Sequence, residues 1–219
     1  MSSTVILLSG VASLFIGVVM CIIGRSNYQL RFQEKYSFFR HFPYEMHHDS
    51  QMKFNFFFRF VFALFIASFI MFQIAVFSRF AQMSHWLCMI IGVIAGLLLL
   101  TLFLISMRDI KLHVFAFSAS LGTTILSYVA LAYFAFTTPF EIPGKTILKV
   151  LSILLPVLLL LLSLHPKMKS WTKLEKEVQE DGTFIYKRPR FVSLAFMEWM
   201  IFFFLLFHVV LCLIFLYPR

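Results

Sequence analysis

Six apolar runs, at residues 4–23, 60–77, 86–107, 113–136, 147–164 and 191–216, each have about the 17–25 residues that a helix needs to cross a ~30 Å hydrocarbon core. A chain built this way has few choices. In lipid every backbone N–H and C=O must be bonded within the protein, and a helix of this length does so internally. Composition agrees, since only 13% of the 219 residues are charged, against about 25% in soluble domains. The expected fold is an all-α integral membrane bundle of six transmembrane helices with short amphipathic cytoplasmic segments. The connecting stretches are too short for an independent core, so residues 1–219 read as a single polytopic membrane domain. The first run lacks a basic leader and a small-x-small cleavage site and is expected to be a mature helix.

Positive charge alternates along the chain. Residues 24–59 hold six Lys or Arg, 108–112 hold two and 165–190 hold seven, so fifteen of the nineteen fall on one side of the expected membrane. Arg79, Lys145, Lys149 and Arg219 fall on the other. By the positive-inside rule the rich side is expected to face the cytoplasm, with both termini extracytoplasmic, most simply in a plasma membrane. Trp86, Trp171 and Tyr217 stand near span ends, where amphipathic rings anchor. The formal charge of +9 is therefore read as topology and attraction to anionic lipid, with no nucleic acid partner. Cys21, Cys88 and Cys212 lie within spans, form no CxxC pair and read as packing residues.

Two basic segments carry helical patterns. Tyr28, Phe32, Tyr36 and Phe39 form an aromatic stripe, so an interfacial helix is expected until Pro43 ends it. Met168, Trp171, Leu174 and Val178 repeat similarly, predicting an amphipathic helix over Pro166–Glu180, followed by an Asp181–Gly182 turn and a β-prone run Thr183–Tyr186. Lys187, Arg188 and Arg190 then form a cluster suited to anionic headgroups. Between the patterns, His41, Glu45, His47, His48 and Asp49 are of the types that ligate metals. Pro43 keeps His41 and Glu45 off one continuous helix and the spacing fits no familiar site, so a polar loop is the expected reading.

Ionisable groups inside spans are costly and are functional candidates by default. Glu198 and His208 lie well inside the sixth run. Glu198 is expected about 10 Å deep, paired with Arg59 or His113, and His208 about 15 Å farther along, within reach of Gln73. Together Glu198, His208, Gln73, Arg59 and His113 are the candidate polar or ion path; interhelical hydrogen bonds that fix packing are the other reading. Small residues at Ser9, Ser13 and Gly17, at Gly92 and Gly96, and along 118–127 mark helix contacts and suggest a central fourth helix. Pro156 is expected to kink the fifth.

Motifs that would specify chemistry are missing. No HExxH and no glycine-rich phosphate loop occurs, and neither the fourth nor the sixth run holds a GxSx serine turn, so neither an enzyme nor a cofactor is expected. Loop lengths run in mirror order rather than repeating, against a duplicated transporter core. The expected function is non-enzymatic: a subunit, chaperone or regulator that associates with other membrane proteins or with itself. The alternative is a small-solute or ion transporter component using Glu198 and His208.

Overall fold

The computed structural model describes residues 3–46, 54–80, 83–105, 109–139, 141–170, 175–178 and 184–217, the side chains of 54–55, 83–85, 169–170, 175–178 and 184–187 excepted. Among these residues six helices are long and apolar enough to cross a membrane: α1 (Ser3–Phe32), α2 (Phe54–Phe77), α3 (Met83–Leu104), α4 (Ile110–Thr137), α5 (Lys145–Ser163) and α6 (Ser193–Leu216). The protein is a multi-pass helical membrane bundle. We call the end carrying 33–46 and 165–192 the basic end.

Neighbours in sequence pair in space, α1 with α2, α2 with α3, α3 with α4 and α4 with α5; from α2 to α5 short connections force adjacent helices to run antiparallel. α6 closes the bundle, touching α1, α2, α4 and α5. It is α6 rather than α4 that takes the more central place: it meets four other spans and buries most of its bulky side chains, leaving Phe203, Phe207 and Ile214 exposed. On α4 the polar small residues do not all face partners: Ser118 is exposed and nothing lies near Gly122. The small residues that matter elsewhere do meet bulky neighbours. Gly10 and Gly17 of α1 lie under Phe72 and Phe65 of α2 and Leu213 and Leu206 of α6, and Gly92 and Gly96 of α3 receive Gln73 and Phe69 of α2. α5 is the most peripheral span, and it remains one helix through Pro156.

Two elements at the basic end differ from expectation. No interfacial helix spans the Tyr28–Phe39 stripe: α1 runs on to Phe32, Gln33 takes a left-handed backbone (φ 53°), and the chain then folds back over the bundle as a cap ending in a short 3-10 turn, Pro43–Met46. Tyr28 and Tyr36 are buried while Phe32 and Phe39 are exposed, so the stripe is split between helix and loop. The helix expected over Pro166–Glu180 is likewise replaced, by a 3-10 turn Pro166–Ser170 and a strand, β1 (Glu175–Val178), antiparallel to β2 (Phe184–Lys187) with Glu175 opposite Lys187. The β-prone Phe-Ile-Tyr run pairs with 175–178 along one edge in antiparallel register, and strand propensity there prevails over the amphipathic period. Trp171, Leu174 and the Asp181–Gly182 turn lie outside the described residues.

Candidate functional site

The short passage from α3 to α4 sets up the most polar spot in the bundle. It brings the Ile105 carbonyl, just past the end of α3, within 2.9 Å of His113 Nδ1 on the first turn of α4. Since a carbonyl only accepts, Nδ1 carries a proton and Nε2 faces inward. There Nε2 meets Glu198 Oε1 of α6 at 2.6 Å, with both side chains fully buried. Of the two partners expected for Glu198, His113 is the one brought to it; Arg59 is exposed on α2. The arrangement holds one proton between Nε2 and Oε1, as a carboxylic acid donating to imidazole or as an imidazolium donating to carboxylate. Glu198 Oε2 has no partner among the described residues.

The cap closes over this pair. Phe42 and Tyr44 turn their rings edge-on to His113 at 5.8 and 5.7 Å. Trp199, beside Glu198 on α6, donates from Nε1 to Tyr36 Oη at 3.0 Å and to the His41 carbonyl at 3.1 Å, while Tyr36 donates to the Phe42 carbonyl at 2.9 Å. Buried Tyr and Trp need partners for their polar tips, and here they supply one another. Three further ties hold the cap down. Glu45 takes both Arg188 nitrogens, at 2.7 and 3.0 Å, and the Phe42 N–H at 2.9 Å; Val192 N donates to Phe39 O at 2.8 Å; Asn27 Nδ2 donates to Met46 O at 3.2 Å.

Electrostatics follow from this enclosure. Burial lowers the tendency of Arg188 to keep its proton, but the hydrogen bonds and charge of Glu45 outweigh it and hold the guanidinium above its ordinary value. Burial, reinforced by Glu45, pushes the Tyr36 phenol well above its ordinary value. Burial pulls His41 below its ordinary value, with Glu45 opposing. A neutral His41 suits its contacts, since Nδ1 accepts the Ser37 N–H at 2.9 Å and a proton on that nitrogen would break the bond.

The other expected path residues do not join the pair. His208 is buried with its ring 5.3 Å from that of Tyr128, whose hydroxyl donates to the Phe204 carbonyl at 2.6 Å. Gln73 lies against α3 instead of meeting His208: a Cβ added at Gly92 would sit 2.7 Å from Gln73 Oε1, and neither end of the Gln73 amide has a partner among the described residues. Depth in the bilayer matched the two residues, but the rotation of α2 sends Gln73 elsewhere. Among the candidate metal ligands, His41 and Glu45 are engaged as above, His47, His48 and Asp49 lie outside the described residues, and the described residues contain no cluster of three His, Cys, Asp or Glu able to hold a metal ion. In the candidate headgroup cluster Arg188 is clasped to Glu45, Arg190 is exposed, and the Lys187 side chain lies outside the described residues. Sequence reasoning missed Tyr36, Phe42, Tyr44 and Trp199. The usable signal was a Trp next to the intramembrane Glu, a donor that a buried site must satisfy.

No known protein family, curated protein or solved structure matches the chain.

Proposed function

We propose that the protein is a non-enzymatic component of a membrane assembly, acting as a subunit, chaperone or regulator through association, with its basic end in the cytoplasm and both termini outside. The observation that carries this reading is the closure of the His113–Glu198 pair: both residues are fully buried beneath a cap tied to Trp199 of α6, to Arg188 and Val192 before it and to Asn27 of α1. A conducting site needs access from water and an onward route. Here His208 and Gln73, the residues that would continue one along the bundle, have their side chains turned to separate neighbours. The polar groups in the spans then serve to set helix position, which interhelical hydrogen bonds do for about 0.6–2 kcal/mol each in membranes. Lipid-exposed faces remain for partners, chiefly on α5 and α1.

Purification in mild detergent tests the reading. The chain is expected in a defined assembly larger than the monomer, and that assembly should persist in Glu198→Gln. A proton or solute flux in reconstituted vesicles that disappears in Glu198→Gln would overturn it in favour of transport. Orientation is tested separately by labelling a cysteine at position 183 with an impermeant reagent, which is expected to fail in intact cells and succeed after permeabilisation.

A further inference from the structure

The contact between His113 and Glu198 cannot exist without a proton. His113 Nδ1 already donates to the Ile105 carbonyl, so a bare Nε2 and a bare carboxylate would set two lone pairs against each other at 2.6 Å. The closed site therefore holds one proton. It lies close to the basic end, in the first turn of α4 and the second of α6. What separates it from that end is the cap, through the rings of Phe42 and Tyr44 and through Trp199, bonded to Tyr36 and to the His41 carbonyl. Hydrogen bonds and the Glu45–Arg188 pair, whose arginine side chain is 34% exposed, hold the cap. Buried apolar packing holds the spans, so the cap is the unit that opens first. Gln33, with its left-handed backbone, is the joint between α1 and the cap.

We propose that the His113–Glu198 pair is a single-proton site and that residues 33–46 are its lid, closing with the proton inside and opening as the water at the basic end turns alkaline. With the lid lifted, water reaches the pair. Opposite charges still face each other there, so the proton stays at neutral pH and leaves only in alkali. The closed state then holds one proton more than the open state, and rising pH favours opening. Among the described residues the other titratable or charged groups around the pair are Tyr36, His41, Tyr44 and Glu45 of the cap, Tyr28 of α1 and Arg188 before α6. Arg59, Asp109 and Lys111 are exposed. In the open state His41 changes charge near about 6.5 and the tyrosines near about 10, on either side of the range that matters. His208 and Gln73 face other neighbours, so the proton leaves by the mouth through which it entered, and no flux across the bundle follows. The lid needs no assembly, so it can fail while the association reading stands, and the reverse.

A full-length chain carrying Trp86→Phe and Trp171→Phe keeps Trp199 as its only tryptophan. In phosphatidylcholine nanodiscs, which leave both faces open to buffer, quenching of Trp199 by iodide reads how often water passes beneath the lid. Quenching is expected to rise between about pH 7.5 and about 9.5, by up to about tenfold per pH unit, the slope of one linked proton. With Glu198→Gln added it should stay flat, because the amide donates to Nε2 without a proton to lose. With Glu45→Gln added instead, quenching should be higher by about fivefold across the range and keep the slope, since the clasp to Arg188 is weakened while the pair is intact. Should Glu198→Gln not fold, the slope of the parent chain and its survival in Glu45→Gln still decide. Flat quenching in the parent chain, the same rise in Glu198→Gln, or a slope lost in Glu45→Gln would overturn the proposal.

Discussion

Glu198 can be replaced by two residues of similar size that differ in one respect only: Gln keeps a hydrogen-bonding end and Leu does not. His113 Nδ1 is committed to the Ile105 carbonyl, so in a neutral ring Nε2 is an acceptor, and the amide introduced by Glu198→Gln can donate to it. That exchange keeps one hydrogen bond and loses only the added strength of a charge-assisted one, about 1 kcal/mol. Glu198→Leu instead leaves Nε2 buried with nothing facing it. The cost is then about 1–3 kcal/mol for a stranded neutral group, rising toward about 3–5 kcal/mol where an imidazolium loses its counter-charge. The size of the Leu penalty therefore reports which protonation state the pair holds. Adding His113→Leu to Glu198→Leu removes the stranded nitrogen, so the double variant should be more stable than the sum of the singles predicts by about 0.5–3 kcal/mol. Reversible unfolding in mixed detergent micelles, analysed as a double-mutant cycle, measures each term. A Glu198→Leu protein as stable as the Glu198→Gln protein, or single effects that simply add, would show that the pair is not an energetic unit and would refute the reasoning.

Three further outcomes are expected. Glu45→Gln should loosen the cap by about 1 kcal/mol, since the Arg188 pair is bidentate but partly exposed, and amide exchange across 36–46 should accelerate with no change in the spans. His41 is held below its ordinary value by burial, so the unfolded chain binds more protons than the folded one as pH falls past about 6.5. Cap stability is then present at neutral pH and lost toward acid; protection factors at 36–46, which remove the intrinsic pH dependence of amide exchange, should fall between pH 7.5 and 5.5, and His41→Asn should flatten that dependence. Gly24→Ala would place a Cβ against Met46 Sδ and 2.7 Å from Phe58, so it should destabilise the cap by about 1–3 kcal/mol, whereas Gly122→Ala, with nothing within 4 Å, should be neutral or slightly stabilising; thermal melting separates the two.

Helix number and type were legible because the bilayer demands long apolar runs. Helix ends were not, since Gly24–Phe32 turned polar yet continued α1; backbone hydrogen bonding does not stop where hydropathy does. Depth narrowed the partner of Glu198 to Arg59 or His113, both at the same end of the bundle, without choosing between them. Depth says nothing of rotation, which is why Gln73 and His208 were matched in sequence and face different neighbours in the fold. The cap was hidden for another reason. Its hydrogen bonds join Tyr36 and His41 to Trp199, more than 150 residues away, and a helical aromatic period continues without a break across the point where the helix stops.

Because α6 supplies Glu198 to His113 and Trp199 to Tyr36, and Val192 just before it bonds Phe39, the bundle is finished by its last span. During synthesis the earlier helices enter the bilayer first. Until α6 arrives, His113 waits with one ring nitrogen unanswered and residues 33–46 lack the ties to Trp199 and Val192, keeping those to α1 and α4. A chain halted before Ser193 would thus expose a polar group at the mouth of α4 and a loosely tethered aromatic segment beside it, features a membrane protease or insertion chaperone can detect. The fold therefore closes only once α6 has been made, and the pairing of an earlier histidine with a later glutamate is what ties the one event to the other.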